Sequence, residues 1–280
     1  MRTYLAALAV CAGLCEASVA EAADLPTKKP APEEIVAPTL PSTWHVEITG
    51  YGWGTYIAGN AGFGALPTLS YYAPFSKLLK HLEGAFMSSV IVRNDTFIGG
   101  IDLIWSRLGG GARIKNPNSD LFGTSIDLTL SEGIITGFGG VRLPVGVPNL
   151  DFYGTVGARY YDLGTKINVT GPLGVFSPTQ TYHKGWIDPV AGFAAQYRFN
   201  DRWFTNVLGD LGGWSGSATG QALASVGYKW TPNIATTLGY RVMYAYETQD
   251  TGFSDLLGNP KSFRFQQWMY GPFAGFKYSF

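Results

Sequence analysis

The sequence predicts an all-β protein, a transmembrane antiparallel β-barrel of the up-and-down type. Charged residues make up 14% of its 280 residues, against about 25% in ordinary soluble domains. Glycine accounts for 37 residues and aromatic residues for 15% of the chain. From Trp44 onward, segments alternate between apolar and polar residues with period two and are separated by turn residues, which is typical of the strands of such barrels.

The composition also excludes several classes of protein. Basic and acidic residues number 20 each, whereas a nucleic-acid binder would have a basic excess. An apolar content of 46% excludes intrinsic disorder. No apolar run approaches the ~18 residues that a membrane-spanning helix requires. A soluble β-sandwich with an aromatic core is the alternative to a barrel, but it would carry a more highly charged surface.

The first 22 residues have the pattern of a secretory signal peptide. Arg2 supplies the positive charge, residues 5–14 are apolar, and Ala20-Glu21-Ala22 is a small-x-small cleavage site. Both cysteines, Cys11 and Cys15, lie in this segment, so the exported chain would have no disulfide bond. A lipoprotein signal is the alternative, although the residues that precede the two cysteines are not small.

Residues 23–43 contain five prolines and predict an extended periplasmic linker, because proline disrupts both helices and strand ladders. A tether to the cell wall is the alternative function for this segment. Residues 44–280 form the predicted barrel domain. Export together with a barrel indicates the outer membrane of a Gram-negative cell.

Ten strands are predicted, which places both ends of the barrel domain on the side with short turns. Eight and twelve strands remain alternatives, because 44–83 and 122–140 can be divided in more than one way. The predicted strands are 44–57, 84–94, 96–108, 122–140, 149–164, 183–199, 202–213, 219–230, 234–247 and 262–280. The predicted short turns are Asn94-Asp95, Pro144–Pro148, Asn200-Asp201 and Thr231–Asn233. Longer loops are predicted at 58–83, 109–121, 165–182, 214–218 and 248–261, with glycine-rich flanks lengthening the loop at 214–218.

The period-two pattern also predicts which side chains face the lumen. A charged side chain in the middle of the lipid-facing surface costs about 2–4 kcal/mol, so we expect Arg241 to point inward. The same alternation assigns Asp151, Arg159 and Asp188 to the interior.

Strand 122–140 is the exception, because its apolar and polar residues do not alternate cleanly. Glu132 shares a side with Leu128, Leu130 and Ile134. We therefore expect a β-bulge in this strand.

Aromatic residues gather near both ends of the predicted strands, where a membrane barrel has two interfacial girdles. Near the short turns they are Trp203, Tyr228, Trp230 and Tyr278. Near the long loops they are Trp105, Tyr160, Trp186, Tyr246 and Trp268.

The chain ends in alternating aromatic residues. Phe276, Tyr278 and Phe280 resemble the terminal signal of outer-membrane barrels, which implies recognition by the barrel-assembly machinery. Residues 44–280 further resemble a family of uncharacterised Gram-negative outer-membrane barrel proteins. The matching segments are ITGYGW (48–53), GARYYDL (157–163), WIDPV (186–190), GDLGG (209–213), VGY (226–228) and GYR (239–241). The resemblance implies a fold and a location but no activity. It also implies charged residues near Ile91, Ala194 and Leu208, where this chain is apolar.

Eight inward charges form the candidate site. They are Asp102, Glu132, Asp188 and Asp210, with Arg159, Lys229, Arg241 and Lys277. Four acidic and four basic groups in a narrow barrel predict mutual pairing, since buried ions are tolerated when they are paired. The favoured interpretation is a polar core that plugs the lumen of a non-enzymatic protein, which acts in envelope integrity or surface interaction. The alternative is a narrow channel for small solutes, lined by these charges.

No catalytic, cofactor-binding or metal site is predicted. No metal-ligand spacing, phosphate-binding loop or nucleophile elbow is present. An enzyme that acts on lipid or peptide is a further alternative, which would require His81 and His183 to approach Asp162. The third histidine, His45, lies at the start of the first strand.

The first long loop contains a candidate helix, in which Phe75, Leu78, Leu79 and Leu82 recur at helical spacing. We expect it to cap the barrel mouth rather than lie on the outer leaflet, because an exposed apolar stripe promotes association. Tyr71 and Tyr72 of the same loop, with Trp214 of the loop at 214–218, would add a surface for an extracellular ligand.

Overall fold

The computed structural model describes residues 44–63, 69–114, 124–170, 179–254 and 260–280. The expected signal peptide and linker lie outside these residues. The strands are β1 His45–Trp53, β2 Tyr56–Phe63, β3 Leu69–Ala73, β4 Leu82–Arg93, β5 Phe97–Ile114, β6 Thr124–Arg142, β7 Leu150–Thr170, β8 Thr179–Arg198, β9 Trp203–Gly212, β10 Ser217–Lys229, β11 Ile234–Ser254 and β12 Pro260–Ser279. The helix α1 spans Phe75–His81.

Ten of these strands close into an antiparallel barrel. Neighbours in the ring are β1 and then β4 to β12 in chain order, and β1 pairs with β12 to complete it. Closure leaves no free edge along the paired parts of the strands. The prediction of a ten-stranded up-and-down β-barrel is therefore confirmed.

The remaining two strands form a hairpin on one side of the ring. β2 continues from β1 along β12, and β3 turns back onto β2. The predicted strand 44–57 is thus divided near Gly54, because Pro272 of the facing strand has no N–H with which to continue the ladder. Gly54 N–H still donates to the Pro272 carbonyl at 2.8 Å. The predicted loop 58–83 accordingly contains strands as well as the expected helix.

One end of the barrel has the predicted short turns. At two of them an asparagine side chain closes the turn: Asn94 Oδ1 accepts N–H bonds from residues 96 and 97, and Asn200 Oδ1 accepts them from residues 202 and 203. Asparagine commonly stabilises turns in this way.

At the other end, most strands extend beyond their predicted limits, but β9 does not and β10 gains only two residues. The prediction that glycine-rich flanks lengthen the 214–218 loop is wrong, since Gly212 already pairs with Thr219. The turn is closed by two hydrogen bonds, from Trp214 N–H to Ser217 Oγ at 2.8 Å and from Ser217 N–H to the Trp214 carbonyl at 3.2 Å. The rim is therefore lower between β8 and β11.

The expected β-bulge in 122–140 is also wrong. β6 pairs with β5 and with β7 in a constant register along its whole length. Ile134 and Glu132 both point inward because the interior at this level is apolar, and Ile134 packs there with Ile104 and Tyr161. Alternation fails in the sequence because an inward position is apolar, not because the backbone is irregular.

The outward surface is apolar over the middle of the barrel. Val156, Leu211 and Leu238 are exposed on it, each with more than half of its surface accessible. Exposed aromatic residues flank this band at both ends; they are Trp203, Trp230 and Tyr278 near the short turns, and Trp105, Tyr160 and Trp268 at the other end. No helix in the described residues is long and apolar enough to span a bilayer.

Trp186 departs from the predicted girdle. It lies inside the barrel, where its ring stacks on Tyr161 with centroids 4.7 Å apart. It also contacts Phe263 and Phe265. The parity of β8 explains this placement, because Trp186 is two residues from the inward Asp188 and so shares its face.

A pair of glycine substitutions tests the close approach of β8 and β9. A Cβ on Gly192 would lie 2.0 Å from the Gly209 carbonyl oxygen, whereas a Cβ on Gly137 would meet nothing within 4 Å. We expect Gly192→Ala to lower the free energy of unfolding by about 1–3 kcal/mol through overpacking. Gly137→Ala should stay within about 0.5 kcal/mol of the parent. Urea titration of the refolded protein measures the free energy of unfolding of both variants. Equal losses in the two variants would contradict the close approach of β8 and β9 at Gly192.

Candidate functional site

Arg159 lies at the centre of the barrel and is fully buried. Its Nη2 donates to both carboxylate oxygens of Asp210, at 2.8 Å each. Its Nε donates to Thr136 Oγ1 at 3.0 Å, and its Nη1 donates to Thr219 Oγ1 at 2.9 Å. Charge-assisted bonds of this length are among the stronger hydrogen bonds in proteins. Arg159, on β7, is thereby joined to side chains of β6, β9 and β10.

Arg241 forms a second cluster beside the first. Its Nη2 donates to Asp102 Oδ2 at 2.6 Å, and its Nη1 donates to the Tyr51 hydroxyl at 2.9 Å. Tyr51 donates in turn to Asp102 Oδ1 at 2.7 Å. The guanidinium also lies over the Trp53 ring, 5.4 Å from its centroid, where a cation–π contact stabilises the charge.

Gln221 connects the two clusters. Its Nε2 donates to Asp210 at 2.6 Å, and its Oε1 accepts from Arg241 at 2.6 Å. We call Tyr51, Asp102, Arg159, Asp210, Gln221 and Arg241 the central network. It crosses the lumen from β7 to β11 and reaches β1 and β5 on the far side.

An apolar layer lies next to the central network, toward the end with the longer strands. Its buried members are Trp53, Ile104, Ile134, Tyr161, Met243, Ala245, Phe263, Phe265, Met269 and Phe273. Tyr161 and Met243 have no accessible surface. These side chains therefore form a buried apolar core inside the barrel.

Polar groups lie among and beyond this layer. Gln267 donates to Glu132 at 2.8 Å and accepts from the Tyr71 hydroxyl at 2.8 Å. Burial and the neighbouring Glu132 carboxyl both raise the pKa of Tyr71, whose ring lies on the β2–β3 hairpin. Lys184 pairs with Glu247 at 3.4 Å across the low part of the rim.

The end with short turns holds a different set of charges. Glu47 accepts from Lys277 and Arg93, at 2.6 Å each. Asp151 is bonded to two arginines, Arg142 and Arg198. These groups surround a cavity of about 460 Å³ at the mouth of the barrel.

A second cavity, of about 150 Å³, lies deeper and extends to Asp102 and Arg241. Both cavities are lined by Glu47, Arg93 and Lys277. The apolar part of the wall of the deeper cavity includes Ile91, Ile98, Phe138, Ala194, Leu208 and Phe273. It includes all three positions at which the family resemblance implied charges.

The structure disperses the eight predicted lumen charges over several clusters. Asp102, Arg159, Asp210 and Arg241 belong to the central network, and Lys277 pairs with Glu47 instead. Of the other three, Asp188 accepts hydrogen bonds from Trp186 and Ser217. Glu132 accepts one from Gln267, and Lys229 lines the mouth cavity.

Sequence reasoning missed several inward charges. They are Glu47, Arg93, Arg142, Lys184, Arg198 and Glu247, whereas Asp151 was assigned to the interior but left out of the candidate site. The period-two alternation of polar and apolar residues could have identified Glu47 and Arg93 as inward, because both alternate with outward apolar neighbours on their strands.

The three histidines are not brought together. His45 begins β1 at the end with short turns. His81 ends α1, where its Nδ1 lies 2.9 Å from the Lys77 carbonyl oxygen. His183 lies on β8, which β5, β6 and β7 separate from β4 in the sheet. This arrangement gives no support to the enzyme alternative. Within the described residues, no group of three His, Cys, Asp or Glu side chains is placed to hold a metal ion.

No protein-family model and no curated protein matches the chain, so the resemblance to a family of uncharacterised barrels stays a prediction. Several solved structures are similar in fold. Ail, the attachment invasion locus protein of Yersinia pestis, in complex with the heparin analogue sucrose octasulfate, is 13% identical, with 84% of this chain and 98% of that chain covered and a TM-score of 0.35.

Two further solved structures span a similar share of the chain. The translocator domain of the autotransporter NalP from Neisseria meningitidis is 11% identical, covers 84% of this chain and 88% of that chain, and has a TM-score of 0.40. The toluene transporter TodX of P. putida is 10% identical, with coverages of 86% and 91% and a TM-score of 0.26. At these identities and TM-scores the similarities carry no weight for function.

Removing one partner of the buried ion pair tests its contribution to stability. We expect Arg159→Met to lower the free energy of unfolding by about 3–5 kcal/mol, because Asp210 is left buried without its cation. The matched control is Arg107→Met, which breaks an ion pair of the same 2.8 Å length to Glu83 in which both side chains are about half exposed. Its loss should be at most about 1 kcal/mol.

The double variant Arg159→Met/Asp210→Leu removes both charges. It should recover part of the stability that Arg159→Met loses, since no unpaired charge remains. Urea titration measures all three variants. Equal losses in Arg159→Met and Arg107→Met would contradict the stabilising role of the buried pair.

Proposed function

We propose that this protein is an outer-membrane β-barrel with a closed lumen and a non-enzymatic role in envelope integrity or surface interaction. One observation carries the proposal: the central network crosses the lumen, and the apolar layer is buried next to it. Arg159, Tyr161 and Met243 have no accessible surface at this level. A barrel built in this way serves as a rigid membrane-embedded body that presents its outer rim.

The outer surface supports the membrane placement. In hydrocarbon every backbone amide must be paired, and a closed barrel achieves this without free edges. β9 has 10 residues, which suits the ~9–11 residues of a transmembrane strand. The outward band is apolar and lies between the two sets of exposed aromatic residues. The charges of the central network face inward.

The two ends of the barrel support an orientation. β1 begins and β12 ends on the side with short turns, which in outer-membrane barrels is the periplasmic side. The two cavities then open toward the periplasm. The extended strands, the β2–β3 hairpin and α1 lie on the outer side.

The C-terminal strand supports recognition by the barrel-assembly machinery. Phe276, Tyr278 and Phe280 are exposed, and the rings of the last two contact each other with centroids 4.8 Å apart. Phe280 N–H donates to the Val46 carbonyl at 2.9 Å. The proposed signal therefore lies on the seam at which the barrel closes.

A small-solute channel is the second candidate function, and the two cavities favour it. They share lining residues and lead from the mouth to the central network. Conduction would require displacement of Arg241 from Asp102 and an opening through the apolar layer. The Arg241–Asp102 pair is held by several hydrogen bonds and the side chains of the apolar layer are buried, so a non-conducting barrel is the better-supported function.

A charged substitution on the outward band tests the membrane placement. Val156 is 68% exposed in the first third of β7, and Val147 is 48% exposed in the turn that precedes β7. We expect Val156→Lys to lower the free energy of unfolding in lipid vesicles by about 2–4 kcal/mol, the cost of a lysine at the bilayer midplane. Val147→Lys should change it by less than about 0.5 kcal/mol. Tolerance of Val156→Lys would argue against a lipid-facing band.

Single-channel recording in a planar bilayer tests the closed lumen. We expect the refolded wild-type barrel to show no steady openings. Arg241→Ala should also remain silent while unfolding at a lower urea concentration, because the apolar layer is intact. Reproducible wild-type openings whose ion selectivity changes in Arg241→Ala would establish the channel instead.

A further inference from the structure

Helix α1 lies beside an interruption of the barrel wall. The pairing of β1 with β4 ends at Gly50 and Ser88, whereas β4 continues to pair with β5 as far as Leu82. α1 occupies the chain between β3 and β4 and therefore adjoins this interruption. The Phe75 ring lies 3.9 Å from the position that a Cβ would have on Gly54, so the start of the helix contacts the β1–β2 junction.

Both ends of α1 lie next to outward aromatic residues. Beyond its C-terminus, Gly84 packs against the Trp105 ring, which lies 3.3 Å from the position of a Cβ on this glycine. Before its N-terminus, β2 and β12 present Tyr56 and Tyr270, whose rings stack with centroids 5.7 Å apart. The helix is thus level with the aromatic residues that end the apolar band.

The helix is amphipathic but buries none of its residues. Phe75 is 38% exposed and Leu79 is 55% exposed. The expectation that α1 caps the mouth by burying its apolar residues is therefore wrong. The helix has no acidic residue, and its last turn contains Lys80 and His81. An apolar stripe and a basic stripe on one short helix match the two chemistries of a bilayer surface.

We propose that α1 lies in the headgroup region of the outer leaflet. Phe75, Leu79 and Leu82 enter the acyl region, and Lys77 and Lys80 bind the phosphates of lipid headgroups. The lysine stems lie along the apolar surface while their ammonium groups reach the phosphates. This inference rests on the proposed membrane placement. It identifies phosphate-bearing lipid headgroups as what the helix binds on the outer side of the barrel.

Spin-label accessibility tests the position of the helix. Cys11 and Cys15 are replaced by serine, so that each introduced cysteine is the only thiol. Labels are then placed by Leu79→Cys, Ser76→Cys and Val156→Cys in vesicles of phosphatidylcholine with phosphatidylglycerol. We expect the label at 79 to collide more with oxygen than with an aqueous nickel complex, and the label at 76 to show the reverse.

The label at 156 separates failure of this inference from failure of the membrane placement. Oxygen contact at 156 with aqueous contact at both 79 and 76 would overturn the lipid-bound helix and leave the barrel in the membrane. Aqueous contact at all three positions would overturn both. Dipolar broadening between labels at 79 would identify a second copy of this chain as the occupant, which also overturns the inference.

The phosphate contacts are tested by removing the two lysines. Lys77→Gln/Lys80→Gln should reduce the oxygen-to-nickel collision ratio at 79 in phosphatidylglycerol vesicles, and the wild-type ratio should fall when phosphatidylglycerol is omitted. Lys166→Gln, an exposed lysine of β7, is the control and should leave the ratio unchanged. An identical ratio in all three proteins would overturn the role of the lysines.

Discussion

The hydrogen bonds that cross the lumen are the interaction on which this barrel depends. The ladders of a closed sheet fix each strand only to its two neighbours, and a barrel of ten strands could flatten without breaking them. Arg159 is bonded to side chains of β6, β9 and β10, and Arg241 to side chains of β1 and β5, with Gln221 of β10 joining the two. These bonds oppose separation of the walls, because an arginine that lost one of them would keep a buried N–H group without its acceptor.

The interior is polarised along the barrel axis as a consequence. Ion pairs around Glu47 and Asp151 occupy the end with short turns, where water reaches them through the larger cavity. Aromatic and aliphatic side chains occupy the opposite half. The central network separates the two halves, and its charges gain strength from the low dielectric of the apolar side.

Period-two alternation predicted the strands and their inward faces, because it depends only on the pleat, and the turn residues between the strands predicted most of the turns. Alternation failed where the interior itself is apolar. In β6, the inward Ile134 breaks the alternation of apolar and polar residues. Trp186 is a residue type typical of the girdles, but it lies inside the barrel. The partner of each charge could not be predicted, since Arg241 and Asp102 are 139 residues apart in the chain and only the closed ring of strands brings them together.

The seam between β1 and β12 has a kinetic consequence. It joins the first barrel strand to the last, and the Lys277–Glu47 bond within it spans 230 residues. Contacts of such long range form slowly, since a large loop must close before they provide any free energy. Until then both seam strands expose a free edge, and free edges aggregate. The lifetime of the open sheet therefore sets how long the folding chain is exposed to aggregation.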